Sequence, residues 1–193
     1  MVAVSSVDSQ PIYPVQPSSL QPTVKIQHRY YPVTGSTVQH LRSDIAHLSP
    51  VTQGGQHYDA NTDWYVRWSY RYVRTGISCS MSHVSSHVDI TFTLPKWQTA
   101  SKASRSLMNQ WSHYSAALQL HEDGHKDHGI AAGQEVLRTL SNLPAYPSCR
   151  ALEAAANTTA RKVIQHYNQR DVEYDRNTGH GFTQGAVFPP SST

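Results

Sequence analysis

Two hydrophobic periods divide the chain. Val24, Ile26 and Tyr30, with His28 in phase, keep the two-residue period of a half-buried strand. After Thr34-Gly35-Ser36, the residues Val38, Leu41, Ile45 and Leu48 are spaced three, four and three apart. That spacing predicts a short amphipathic helix capped by Ser36 or Thr37 and ended before Pro50. Residues 49–63 read as loop. Trp64, Val66, Trp68, Tyr70 and Tyr72 then alternate with Arg67, Ser69 and Arg71, a strong strand pattern. Val88, Ile90, Phe92 and Leu94 alternate again and stop at Pro95, with residues 77–84 as a weaker strand or its connection. Short links between successive strands predict antiparallel pairing with one face buried.

Beyond Trp97 the period lengthens. Leu107, Trp111, Tyr114, Leu118, His121, His125, Ala132 and Val136 recur at helical spacing, predicting one long helix over about 103–140 with Gly129 and Gly133 as weak points. Pro144 and Pro147 punctuate, and Leu152, Ala155, Ala156, Val163, Ile164 and Tyr167 predict a second helix from Arg150 to about Asn168. The polar, Gly-rich stretch from Asp171 reads as irregular. Residues 1–23, rich in Ser, Pro and Gln, read as a flexible leader, residues 24–185 as the folded domain and residues 186–193 as a disordered tail. The expected fold class is α+β, a small antiparallel sheet packed on the long helix with the C-terminal helix behind it.

Composition narrows the function. The mean hydropathy is -0.53, and no apolar run approaches the roughly 20 residues needed to cross a bilayer, so no membrane span is expected. The net charge of +3 is spread without a Lys/Arg block, which argues against nucleic acid as a partner. Twelve histidines direct attention to metal binding. Cys79 and Cys149 lie 70 positions apart with no C-x-x-C pattern, which argues against a zinc knuckle. Bonded, they would stabilise the fold by roughly 4 kcal/mol, and only in an oxidising compartment. Two reduced, buried thiols are the other reading. The N-terminus shows no basic region followed by an apolar core, so no signal peptide is expected in the chain as it stands.

Within the long helix, His121-Glu122-Asp123-Gly124-His125 forms an H-E-x-x-H sequence. Histidines at i and i+4 share one helical face about 6 Å apart, so both imidazoles reach one zinc ion. The adjacent Glu122 is then the expected general base, taking a proton from a metal-polarised water. Hydrogen-bonded core histidines are the alternative. Gly124 suggests that something packs close to the backbone, since glycine inside a helix costs about 1 kcal/mol relative to alanine. A third ligand is needed. His128 stands about 10.5 Å from His121 along the axis, too far to share an ion. His128 and Ala131 also occupy the places where an extended zinc motif requires glycine and histidine. His180, between two glycines in the tail, is the leading candidate, with Asp175 and Glu153 as alternatives. Tyr174 is a candidate oxyanion stabiliser, with packing as its competing role. Trp64, Trp68, Tyr70 and Tyr72 fit either a stacking surface or, more simply, the core. His83 and His87 fall in a strand about 13 Å apart and do not form a second site.

The chain resembles a bacterial family of predicted secreted zinc-dependent proteases, a domain of unknown function that carries the H-E-x-x-H motif. The resemblance rests on Tyr30-Tyr31-Pro32-Val33-Thr34-Gly35-Ser36-Thr37, the Trp/Tyr strand, Cys79, Leu94-Pro95-Lys96-Trp97, Trp111 and Tyr114, the motif itself, Cys149, and the segment from Tyr174-Asp175 to His180-Gly181. It covers about Arg29 to Gly185. It implies a zincin-like metallopeptidase that is periplasmic or secreted, with a bonded Cys79–Cys149 pair. The missing leader is the one departure from that pattern. Together these readings predict hydrolysis of a peptide or protein substrate, with Zn2+ held by His121, His125 and His180 and with Glu122 as base. The competing expectations are a zinc-stabilised envelope binding or assembly module that cleaves nothing, and an amidase acting on cell-wall peptide.

Overall fold

The computed structural model describes residues 21–98 and 103–190. Its elements are β1 (Thr23–Val33), α1 (Val38–Leu48), β2 (Thr52–Gln53), β3 (Gln56–His57), β4 (Asn61–Thr75), β5 (Ser78–Trp97), α2 (Arg105–Ser141) and α3 (Cys149–Thr178), with a 3-10 turn at Phe182–Gln184. The architecture is α+β: a three-stranded sheet of order β1-β5-β4, a two-stranded hairpin β2-β3, and three helices. Only Gly76-Ile77 joins β4 to β5, and so short a link between neighbouring strands permits antiparallel pairing alone. In the small hairpin Thr52 faces His57 and Gln53 faces Gln56. Its turn residues Gly54 and Gly55 have φ of 58° and 81°, the left-handed pair that tight hairpins favour.

The chain divides into two compact units. Among the described residues, one comprises Ile26–Trp64, residues 90–98 and 103–127, and residues 171–190. Its core gathers Tyr31 and Val33 of β1, Leu41 and Ile45 of α1, Ile90, Phe92 and Leu94 of β5, and Leu107, Tyr114 and Leu118 of α2. Thr37 caps α1 by accepting from the His40 N–H. Trp97 packs on Trp111, which meets Tyr114 and Phe188 edge-on. Asp59 anchors the approach to β4: it takes two hydrogen bonds from Arg42 and one from the Tyr114 hydroxyl, while the Asp59 carbonyl accepts from Tyr31.

Among the described residues, the other unit comprises residues 21–25, Tyr65–Asp89 and His128–Arg170. Val66 and Tyr70 of β4, Val84 and Val88 of β5, Val136 and Leu140 of α2, and Leu152, Ala156 and Ala160 of α3 are buried here. Gly133 has no room for a side chain, because a Cβ there would collide with Val88. Trp68 donates its indole N–H to Asn157, and Asn157 also meets the Tyr70 hydroxyl; of the four aromatics on β4 weighed above, Tyr70 is buried and Trp64, Trp68 and Tyr72 are half-buried. Cys79 and Cys149 form a disulfide.

Several boundaries differ from the sequence pattern. The strands expected over 77–84 and 88–94 are one strand, β5, because Ser86 continues the buried alternation between Val84 and Val88. The expected loop of residues 49–63 contains the β2-β3 hairpin and the first residues of β4. The helix α2 runs through Gly129 and Gly133 unbroken. The largest correction concerns α3, which extends to Thr178, so that Asp171, Tyr174 and Asp175 are helical rather than irregular. Of the expected leader, residues 1–20 lie outside the described residues, and Thr23 already belongs to β1. Of the expected disordered tail, residues 191–193 lie outside them, whereas Phe188 is buried against Trp111 and Tyr114. No helix among the described residues is long and apolar enough to cross a membrane.

Candidate metal centre

The centre is built within the first-described unit from one face of α2 and the last two turns of α3. On α2, Leu118, His121, Glu122 and His125 fall three, one and three apart and therefore share a face. All four are buried. On α3, Asp171 and Asp175 stand one turn apart, with Tyr174 beside them. The helix closes in a Schellman motif, the His180 N–H reaching back to the Asp175 carbonyl with Gly179 at φ 57°. His180 itself has φ 52°, a left-handed conformation that costs a residue with a Cβ, and Gly181 follows at φ 83°.

Three imidazole nitrogens converge on one carboxylate oxygen. Asp175 Oδ1 lies 3.0 Å from His125 Nε2, 3.2 Å from His121 Nε2 and 3.5 Å from His180 Nδ1. The ligand atoms of His121, His125 and Asp175 all lie within 4.8 Å of one another, a set that could hold a metal ion. His180 is outside that set, and its side chain is 45% exposed, with its ring against Tyr58. Glu153 belongs to the other unit, where the Tyr72 hydroxyl hydrogen-bonds to it.

Each motif histidine is also held at its second nitrogen. His125 Nδ1 is 3.0 Å from Asp171 Oδ1, and His121 Nδ1 is 2.9 Å from Gln184 Oε1. The Tyr174 ring stacks on His121 at 5.0 Å and meets His125 edge-on. Its hydroxyl donates to the His121 carbonyl. A Cβ on Gly124 would collide with that phenol ring, which explains a glycine inside the motif. Glu122 Oε2 accepts from the Thr62 hydroxyl at 2.7 Å. A cavity of about 150 Å³ opens above these groups, walled by Tyr58, Asn61, Glu122, His125, Asp175 and His180 among others. It has space for a reacting group rather than for a whole ligand of drug size.

The charges follow from this packing. Burial raises the Glu122 carboxyl, an effect opposed by the Thr62 hydrogen bond and by the charges of His125 and His121. Burial acts to lower His125, but its hydrogen bonds to Asp171 and Asp175 outweigh it and raise the imidazole to about 10. Burial likewise acts to raise Asp175, and hydrogen bonds from His121 and His125 overcome it, holding the carboxyl below the usual carboxylate range. A ring with a carboxylate at both nitrogens must carry either two protons or one proton and a cation.

This has a measurable consequence for the metal-free protein. A histidine raised from 6.5 to about 10 contributes stability that is fully present below pH 6.5 and is lost as pH rises toward 10. The depressed Asp175 contributes stability that is lost as pH falls below its ordinary carboxylate range. Thermal unfolding of chelator-treated protein should therefore fall steadily between about pH 6.5 and 10. A flat profile across that window would show that His125 is not charged there.

A family model for bacterial proteins of unknown function, DUF922, matches residues 28–181. The chain belongs to the DUF922 family. The matched region of this DUF922 member includes Thr62, His121, Glu122, His125, Asp171, Tyr174, Asp175 and His180, and it ends before Gln184. No curated protein and no solved structure matches the chain. Sequence reasoning singled out His121, Glu122, His125, Tyr174, Asp175 and His180 but missed Thr62, Asp171 and Gln184. Continuing the helical period of α3 by one more turn was the signal that would have found Asp171.

Proposed function

We propose that the protein is a zinc-dependent peptidase of the zincin type, with His121, His125 and Asp175 as metal ligands and Glu122 as general base. The observation that carries this reading is the convergence of two Nε2 atoms on Asp175 Oδ1 at 3.2 and 3.0 Å. Four ligands at the usual zinc bond lengths of roughly 2.0–2.1 Å stand about 3.3 Å from one another in a tetrahedron, so the two spacings from Asp175 to the imidazoles fit that ion. Two imidazoles and a carboxylate also match the donor preference of catalytic zinc. His180 is assigned to the cavity wall, where its exposed ring faces incoming substrate. A bound zinc ion would supply Lewis acidity and lower the pKa of a water toward about 7.

The chain's own residues supply the rest. Glu122, buried beside both histidines, accepts the proton of the attacking water and returns it to the leaving amine. The Thr62 hydroxyl fixes one carboxylate oxygen of Glu122. Tyr174 is assigned a supporting role, because its ring and hydroxyl are both engaged with His121. The Cys79–Cys149 disulfide supports export to the periplasm or beyond, since such bonds persist in oxidising compartments.

The test is incubation of the zinc-loaded protein with a mixed peptide library, read by mass spectrometry. Cleavage should be lost on chelation and restored by zinc. Stoichiometric zinc without cleavage of any peptide would overturn the peptidase reading in favour of a binding module.

A further inference from the structure

Two residues that the proposed reaction does not use directly stand at the far nitrogens of the motif histidines. We infer that Asp171 and Gln184 are positioning residues, which accept the Nδ1 protons of His125 and His121 and so leave both Nε2 lone pairs free for the ion shared with Asp175. The inference rests on the metal site proposed above.

For His125 the argument is one of valence. An ionised carboxylate only accepts hydrogen bonds, so the ring nitrogen 3.0 Å from Asp171 Oδ1 must carry a proton. In a neutral imidazole the other nitrogen then holds a lone pair, and it is this nitrogen that faces Asp175. Asp171 is itself held from β4, its second oxygen accepting the Trp64 indole N–H at 2.6 Å. The one-turn spacing on α3 lets Asp171 reach one side of the His125 ring while Asp175 reaches the other.

For His121 the acceptor is neutral, so its orientation needs a separate reason. Gln184 Nε2 donates to the Tyr174 hydroxyl at 3.0 Å, and that hydroxyl donates onward to the His121 carbonyl at 3.2 Å. The Tyr174 hydroxyl lies nearer the amide nitrogen than the amide oxygen, 3.0 against 3.4 Å, and the amide oxygen faces His121 Nδ1 at 2.9 Å. The 3-10 turn that delivers Gln184 lies between Gly181 and Gly185, at φ 83° and 89°. A Cβ on Gly181 would press on His121, so the turn approaches the ring closely. The segment after α3 therefore serves the site through Gln184 as well as through His180.

Partners of this kind usually contribute roughly 10–100-fold to metal affinity. Zinc affinity, measured by competition with a chromophoric chelator, should weaken by about that factor in Asp171→Ala and in Gln184→Ala. Asp171→Asn keeps an acceptor without the charge and should fall between wild type and Asp171→Ala. Trp64→Phe, which removes the indole donor to Asp171 but keeps an aromatic ring, should weaken zinc less than Asp171→Ala. The tautomers give a readout that a packing role would not move. In the zinc-loaded protein with 15N-labelled histidine, both motif rings should bear their proton on Nδ1. Asp171→Ala should expose the His125 proton to fast exchange and leave that of His121 protected, and Gln184→Ala should do the reverse. Unchanged affinity and unchanged exchange in these variants, or coordination through Nδ1, would overturn the inference while leaving the zinc site standing. A wild-type protein that takes up no zinc would instead overturn the site itself.

Discussion

Replacing Glu122 with glutamine should lower peptide hydrolysis by roughly 10²–10⁴-fold, the usual contribution of a positioned general base, while the protein keeps its zinc and its fold. The substitution preserves volume, which matters for a side chain only 3% exposed. It also preserves an acceptor for the Thr62 hydroxyl, which now bonds Oε2 at 2.7 Å. What disappears is the capacity to take a proton. Burial raises this carboxyl above its ordinary range, against the opposing Thr62 hydrogen bond, and so makes it a stronger proton acceptor than a solvated glutamate. The measurements are kcat on a library-derived peptide and zinc content by atomic absorption. A variant that retains the wild-type kcat would remove Glu122 from the chemistry. A variant that loses its zinc would make Glu122 a ligand rather than a base.

What the sequence revealed and what it hid have the same cause. His121, Glu122 and His125 were legible because α2 advertises its helix with apolar residues, Leu107, Tyr114 and Leu118, on the face that carries the motif. The last turns of α3 keep the same periodicity, but Asp171, Tyr174, Asp175 and Thr178 carry it in place of apolar residues. A pattern search that counts only hydrophobic positions ends that helix near Asn168, just before the residues that matter. In β5 a single serine in phase, Ser86, split one strand into two. Gln184 was beyond reach for a different reason. Its place depends on a turn between two left-handed glycines and on a hydrogen bond to Tyr174, neither of which has a sequence period. Ending the helix early also left Asp175 and His180 on one irregular segment, where the sequence ranked His180 above Asp175 without the geometry that separates them.

Asp175→Ala should strip zinc from the protein, weakening affinity beyond the roughly 10–100-fold expected for an outer partner, whereas His180→Ala should leave zinc bound. The reason is preorganisation. Asp175 is fixed on α3 one turn after Asp171, and its Oδ1 already lies 3.0 Å from His125 Nε2 and 3.2 Å from His121 Nε2. His180 follows the helix end at φ 52°, with an exposed ring, so its reach depends on backbone that is already strained. A ligand on a packed helix keeps its geometry when the ion leaves, and one on such a turn does not. Asp175→Asn serves as the fold control, since the amide fills the same space but is a poor zinc donor, and it should lose zinc as Asp175→Ala does. Equilibrium dialysis separates the cases. Should His180→Ala release the metal while Asp175→Ala retains it, the tail would be the third arm of the site, reached from a ring whose Nδ1 lies 3.5 Å from Asp175 Oδ1.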